Sequence, residues 1–277
     1  MDRRFAAGNR AMYLEHWQLD DFPFENVASP RYFFASATHH MLYEDLEDAI
    51  HRCKGAIALT GDIGCGKSTI TQHLLLNLPE DRFDIALITH ARLTPAEMLL
   101  EIARQLGLDT ETADKNMLLR LIQEHLADNA ENGRNTLVCI DEAQSIPSLD
   151  TFEELRLLLN FQPGDRFLIT LFFVGQPELR QKIAQLPQLQ QRIALHLHLG
   201  HMDEENTTRY ILHRLRAASC QRPILTRQAA QAIHRLTGGI PRRVNHLMDR
   251  CLLVGMRKNA SLLDRRLVSE TAQRYPC

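Results

Sequence analysis

The chain has 277 residues, of which 44% are hydrophobic and 24% are charged, and its formal net charge is −2. This length allows a sizeable buried core in one large domain or two modest ones. The composition is ordinary for a soluble globular protein. The small net charge excludes a generally basic nucleic-acid coat, although it leaves room for a local basic stripe.

The features that report on cellular compartment favour a cytoplasmic protein. The six cysteines are scattered without CxxC spacing, and a chain of this size needs no disulfides to fold. The N-terminus lacks the apolar core of a signal peptide, and Met12 is an alternative start to Met1. The longest apolar run, "FLITLFFVG", is too short to cross a bilayer as a helix. We therefore expect any place at the inner membrane to be peripheral and to depend on a partner.

Five short runs have the character of β-strands. Four of them are nearly continuous in apolar residues, as expected for parallel strands that are buried on both faces. The fifth, "ALHLHL", alternates with period two, which is typical of an edge strand with one wetter face. The predicted strands are Ala56–Thr60, Asp84–His90, Thr136–Ile140, Phe167–Val174 and Ala194–Leu199.

Segments with a helical period separate these runs, which predicts an α/β fold with a parallel sheet between helices. "TPAEMLLEIARQLG" begins with a capping box formed by Thr94 and Glu97 and ends at Gly107. Two more helices are predicted around Leu118–His125 and Glu153–Asn160.

After about residue 200 the strand signal disappears, and four amphipathic helical segments follow. This change of period predicts a domain boundary. We expect an N-terminal segment with a leading helix at 1–54, an α/β domain at 55–200 and an all-helical lid domain at 201–277.

The stretch "GDIGCGKS" lies between the strand "AIALT" and the helical "TITQHLLLNL". A glycine-rich turn with an accidental lysine is the alternative, but strand before and helix after is the setting of a phosphate-binding loop. Its glycines allow the loop amides to point at phosphate oxygens, Lys67 would neutralise the β- and γ-phosphates, and Ser68 would hold Mg²⁺. The predicted ATP-binding residues are Gly61, Asp62, Ile63, Gly64, Cys65, Gly66, Lys67, Ser68 and Thr69.

A second motif, "TLVCIDEAQ", carries two acids to the end of a buried strand, where ligands of α/β sheets bind. Asp141 would support the Mg²⁺ shell, and Glu142 would polarise the attacking water as the general base. An apolar strand that ends in two acids is a weak signal alone. Together with the phosphate loop it predicts Mg²⁺-dependent ATP hydrolysis.

Six stretches, "GDIGCGKS", "CIDEAQ", "EELRLLLN", "FFVGQPEL", "QQRI" and "GGIPRRVN", occur in this order. In this order they resemble AAA+ ATPases of the ExeA type, a group that includes general secretion pathway protein A and the mannose-sensitive pilus biogenesis ATPase. "MYLEHW" near the start is similar as well, and the resemblance spans roughly 12–263. Transposition-regulator ATPases that load on DNA share the general pattern. The fold it implies is a P-loop NTPase of the AAA+ type with a helical lid.

The resemblance implies roles for further residues. It places Gln176 at the sensor position beside the γ-phosphate, with a plain turn residue before Pro177 as the alternative. It makes Arg192 an arginine finger that enters a neighbouring subunit's site, against a plain surface arginine. It makes Arg242 the sensor at the start of a lid helix, with Arg243 as a second candidate. The alternative is that these arginines only form a solvated helix face.

The resemblance also implies assembly into a ring or filament around nucleotide. The process that ATP hydrolysis would drive is then one of two. It is either assembly of a secretion or pilus machine through protein partners, or regulation of transposition by an ATPase that loads on DNA. The opening "MYLEHW" and the nearly complete motif set favour the first. The lack of a membrane segment and the basic residues of the lid keep duplex DNA open as a partner.

Overall fold

The computed structural model describes residues 12–26, 30–34, 36–110, 114–162 and 166–275. The chain divides into two compact units. One consists of Ala37–Ile63 and Ile70–Leu199, and we call it the sheet unit. The other, the helical unit, consists of the described residues before 37, Gly64–Thr69 and the described residues from 200 onward. Met1, one of the two predicted starts, lies outside the described residues.

The sheet unit is built on five strands in the order β2-β3-β4-β1-β5, and all the pairings are parallel. The predicted α/β fold with a five-stranded parallel sheet is therefore confirmed. The strands are β1 (Ala56–Gly61), β2 (Phe83–Ile88), β3 (Asn135–Ile140), β4 (Ile169–Gly175) and β5 (Ile193–Leu199).

The burial of the strands follows their place in the sheet. Every residue of β1 and β4 is buried, because these strands have a neighbour on each side and helices on each face. β5 is an edge strand in which exposed residues alternate with less exposed ones, as its sequence predicts. β2 differs from its prediction as a strand buried on both faces. It is the other edge strand, and three of its residues are only partly buried.

Helices cover both faces of this sheet, and local signals fix their ends. Thr94 caps the helix Pro95–Gln105 with a complete capping box, in which Glu97 Oε2 accepts a hydrogen bond from the Thr94 backbone N–H at 2.8 Å. These hydrogen bonds lower the pKa of Glu97. The helices of this unit are α2 (Ala37–His51), α3 (Lys67–Asn77, which begins in residues grouped with the helical unit), α4 (Pro95–Gln105), α5 (Lys115–Glu131), α6 (Leu149–Leu158), α7 (Glu178–Ala184) and α8 (Pro187–Gln190).

The helical unit has its own apolar core, to which both ends of the chain contribute. A short helix at 12–17, α1, packs against the C-terminal helices. Trp17 on α1 is completely buried, and its indole Nε1–H donates a hydrogen bond to the Leu252 carbonyl at 2.9 Å. The other helices are α9 (Glu204–Ala217), α10 (Arg227–Thr237), α11 (Pro241–Arg257) and α12 (Arg265–Arg274).

Within the described residues, none of the helices combines the length and the apolar character that crossing a bilayer requires.

Candidate nucleotide-binding site

The glycine-rich loop connects the end of β1, at Gly61, to the start of α3, at Lys67. Gly64 has φ +81° and Gly66 has φ +107°, a region that side chains other than glycine adopt only with strain. This backbone turns the chain sharply from strand to helix and leaves loop amides at the N-terminus of α3, where the helix dipole favours an anion. The loop thus has the conformation that a phosphate cradle needs.

The side chains of the loop differ strongly in exposure. Lys67 is only 6% exposed and Cys65 only 1%, so both are held inside the fold. Ser68, one of the two predicted Mg²⁺ ligands, is exposed. Gly61 is buried at the end of β1, Asp62 and Ile63 are exposed, and Thr69 is half-buried.

Arg242 lies against this loop at the first turn of α11. Its backbone N–H donates a hydrogen bond to the Gly64 carbonyl at 3.2 Å. A Cβ on residue 64 would lie 2.7 Å from the Arg242 Cβ, so the close approach requires glycine there. The structure thereby brings together a predicted phosphate-loop residue and the predicted lid sensor. Arg243, the second candidate, is exposed on the same turn.

The acidic pair follows β3 directly. Asp141 continues the ladder, because its N–H donates a hydrogen bond to the Ile88 carbonyl of β2 at 2.9 Å. Its Oδ1 accepts a hydrogen bond from the Glu142 backbone N–H at 2.8 Å. Glu142 itself has φ +51° and ψ +36°, the left-handed conformation. Strain of this kind in a non-glycine residue concentrates at functional sites.

Two amide side chains hold the Glu142 carboxylate. Gln144 Nε2 donates a hydrogen bond to Glu142 Oε2 at 2.5 Å, and Gln176 Nε2 donates to the same oxygen at 3.2 Å. The structure therefore brings Gln176, the predicted sensor, to the predicted general base. Gln144 was not among the sequence-predicted site residues, although the amide two positions after the acid in "DEAQ" was the available signal.

Arg192 does not join this network. It lies just before β5, where its Nη2 donates to Asn160 Oδ1 at 3.4 Å and its guanidinium sits 5.8 Å from the centre of the Phe167 ring. Both neighbours belong to the same sheet unit. Arg192 is partly exposed.

The chemistry of these residues fits a nucleotide with Mg²⁺. Gly64 and Gly66 have positive φ, a conformation that allows successive backbone N–H groups to point at phosphate oxygens. The Ser68 hydroxyl and the Asp141 carboxylate are oxygen donors of the hard type that Mg²⁺ prefers. Since β1 and β3 are parallel strands of one sheet, the phosphate loop and the acidic pair both follow strands that end at the same edge.

A phosphate loop after β1 and an acidic pair after β3, on this sheet, define a P-loop protein of the AAA+ type. Residues 50–183 match the family model described as "AAA domain". The chain is also similar to General secretion pathway protein A of Aeromonas hydrophila, with 35% identity over 253 residues. This confirms the resemblance to AAA+ ATPases of the ExeA type that the motifs predict. The match covers 90% of this chain and 46% of that protein, so this chain spans about half the length of its relative.

Solved structures agree on the fold. The Aeropyrum pernix ORC2 protein in its ADPNP–ADP complexes is similar with a TM-score of 0.69 and 16% identity, and the match covers 93% of this chain and 72% of that one. The structure of Drosophila ORC bound to DNA matches with a TM-score of 0.67 and 16% identity, over 94% of this chain and 65% of that one. At this level of identity the likeness is one of fold.

Proposed function

We propose that the protein binds ATP with Mg²⁺ on the glycine-rich loop and hydrolyses it to ADP and phosphate. The observation that carries the proposal is the combination of the left-handed glycine loop before α3 with a held carboxylate, Glu142, after β3. Relationship to General secretion pathway protein A and the ADPNP–ADP complexes of a structure with the same fold support a nucleotide as ligand.

Each residue has a separate task in this reaction. Lys67 and the loop amides hold the β- and γ-phosphates, and Arg242, at the start of α11, supplies a second positive charge for the phosphates. Ser68 and Asp141 would hold Mg²⁺, which would supply positive charge against the charge that develops on the transferred phosphoryl group. Glu142 takes a proton from the attacking water, and Gln176 keeps the carboxylate oriented toward it.

Substitution of Glu142 tests this assignment. We expect Glu142→Gln to keep ATP affinity within about twofold and to lower turnover by about 10²- to 10⁴-fold, the range of general-base catalysis. Glu178→Gln is a matched control, because Glu178 is an exposed acid at the start of α7 in the same unit. Phosphate release and calorimetric ATP binding report the two quantities. Wild-type turnover in the Glu142 variant would show that Glu142 is not the general base.

We further propose that subunits assemble around nucleotide, with Arg192 completing the site of a neighbour. The partly exposed guanidinium, steadied by Asn160 and Phe167, supports this role, because a planar fork suits phosphoryl oxygens. Arg192→Ala is expected to abolish turnover, and mixing with Lys67→Ala subunits, whose Arg192 is intact, should partly restore it. Absence of rescue at every mixing ratio would exclude an arginine that acts on a neighbouring site.

For the output, we propose assembly of a secretion or pilus machine through protein partners, with the protein peripheral to a membrane. Similarity to General secretion pathway protein A over nine-tenths of this chain supports it. DNA-dependent regulation is the second candidate, which the likeness to DNA-bound ORC favours. The basic residues of the helical unit favour it less, because Lys258 and Arg266 both bind Glu270, at 2.5 and 2.9 Å.

Duplex binding separates the two outputs. We expect only weak DNA binding, equal with ATP, ADP or no nucleotide, and lost at moderate salt. ATP-dependent filaments on duplex DNA would overturn the machine-assembly output in favour of DNA loading.

A further inference from the structure

We infer that Gln144 is a positioning residue for Glu142, and that Gly175 has no side chain so that Gln144 can fit. This inference rests on the proposed function, since it concerns the orientation of the proposed general base. Its basis is a set of contacts that link the ends of β3 and β4 in the sheet unit.

The orientation of the Gln144 amide is fixed by its partners. Its Oε1 accepts a hydrogen bond from the backbone N–H of Gln176 at 3.0 Å, and a backbone N–H is only a donor. The amide NH₂ must therefore face the other way, toward Glu142 Oε2, to which it donates at 2.5 Å. If the amide were flipped, its NH₂ would face the N–H of Gln176, which is also a donor, and its oxygen would face Glu142 Oε2, which is also an acceptor. Gln144 thus ties the carboxylate to the backbone just after β4.

Gly175 makes room for this link. A Cβ on residue 175 would lie 2.6 Å from Gln144 Oε1 and 2.9 Å from Leu179 Cδ2. No conformation of the backbone demands glycine here, because the φ of Gly175 is not positive. The requirement is one of space, and the nearest atom in that space is the oxygen that orients Gln144.

Both amide donors bind one oxygen of Glu142, and this has a chemical consequence. Oε2 receives Gln144 and Gln176, whereas Oε1 makes no hydrogen bond to any described residue. Oε1 is therefore the oxygen that can accept a proton from water. Glu142 and Gln144 also line a cleft of about 590 Å³ with Thr89, His90 and Arg92, which has space for solvent beside the carboxylate. Without Gln144, only the longer contact from Gln176 would orient the Glu142 carboxylate.

The test compares turnover and binding for two Gln144 variants. Gln144→Met keeps length and removes both hydrogen bonds; we expect kcat to fall by about 10- to 100-fold, as for a misplaced catalytic group, with ATP affinity within twofold. Gln144→Glu keeps the acceptor for Gln176 and sets a second carboxylate against Glu142. Because two close carboxylates resist joint ionisation, the acid limb of the pH–rate profile for kcat should move to higher pH. Gln185→Met, an exposed amide on the turn after α7, is the matched control.

Gly175→Ala gives an independent arm, since it displaces the Gln144 oxygen without changing Gln144. We expect a similar loss of kcat, and no further loss when Gly175→Ala is combined with Gln144→Met. Wild-type kcat and an unmoved pH profile in folded Gln144 variants, or additive losses in the double variant, would overturn the positioning role while the ATPase stands. If the wild-type protein itself bound ATP but failed to turn it over, the proposed function would fall and this role with it.

Discussion

The indole of Trp17 occupies the space that a side chain at Gly255 would need. A Cβ on residue 255 would lie 2.7 Å from Trp17 Cζ2 and 3.0 Å from Leu263 Cδ2. Helix α11 therefore carries a glycine in its last turn, where glycine costs up to about 1 kcal/mol relative to alanine. The benefit is a completely buried tryptophan that joins α1 to the last helices. Helix α1 is thus part of the same apolar core as the C-terminal helices.

This packing predicts the sign of a Gly255→Ala change. The gain in helix propensity is about 1 kcal/mol, whereas overpacking against a rigid ring costs typically 1–3 kcal/mol or more. Trp17 cannot move aside easily, because its Nε1–H is bound to Leu252 O. We expect a net loss of up to about 2 kcal/mol in the free energy of unfolding. Gly200→Ala is the control, since a Cβ there meets nothing within 4 Å; chemical denaturation of both variants decides, and a stabilised Gly255→Ala protein would contradict this packing.

The contact between Gly64 and Arg242 predicts the effect of a substitution in the phosphate loop. Gly64→Ala brings both backbone strain, from φ +81°, and an overlap with Arg242 Cβ. We expect at least a tenfold loss of ATP affinity in calorimetry, because the loop must leave its observed conformation. Gly107→Ala has nearly the same strain, at φ +74°, with no atom within 4 Å of the added Cβ. If both variants bound ATP as the wild type does, the conformation of the loop at Gly64 would be irrelevant to the ligand.

The buried cation Arg214 predicts a loss of stability when its charge is removed. Arg214 is 5% exposed and lies over the ring of Tyr32 at 4.7 Å. It donates hydrogen bonds to Tyr210 Oη at 2.7 Å and to the Glu25 carbonyl at 3.0 Å. Arg214→Met keeps apolar packing but removes these contacts, so we expect a loss of about 2–3 kcal/mol. Differential scanning calorimetry, with the exposed Arg216→Met as control, measures it; equal melting temperatures would show that the cation contributes little.

Burial of His39 predicts a dependence of stability on pH. Desolvation lowers the pKa of His39 below its ordinary 6.5, so between these two values the unfolded chain binds more protons than the folded one. The free energy of unfolding should therefore fall as the pH decreases through about 6.5 toward the lower folded pKa. His39→Gln should flatten this slope by up to about 1.4 kcal/mol per pH unit. Denaturation curves from pH 8 to 5 compare the two proteins, and identical slopes would contradict the burial effect.

Much of the fold and part of the site could be predicted because their signals are local. The strands appear as apolar runs, the start of α4 as the capping pair Thr94 and Glu97, and the phosphate loop as glycines and a lysine between strand and helix. The burial of β2 was misjudged, since an apolar run does not reveal whether a strand lies at the edge or the centre of a sheet. Strand order depends on pairings between distant residues, which no local pattern encodes.

The sequence by itself determined the class of fold, the position of the glycine loop and the presence of an acidic pair at the end of a strand. These features depend on residues that are adjacent in the chain, because the conformational preferences of such residues act over a single turn or a single strand. Only the tertiary structure decided that Gln144 and Gln176 bind one oxygen of Glu142, that Gly64 contacts Arg242, and that Trp17 fills the space above Gly255. Such contacts join residues brought together by packing alone, and their geometry exists only once both partners are in place.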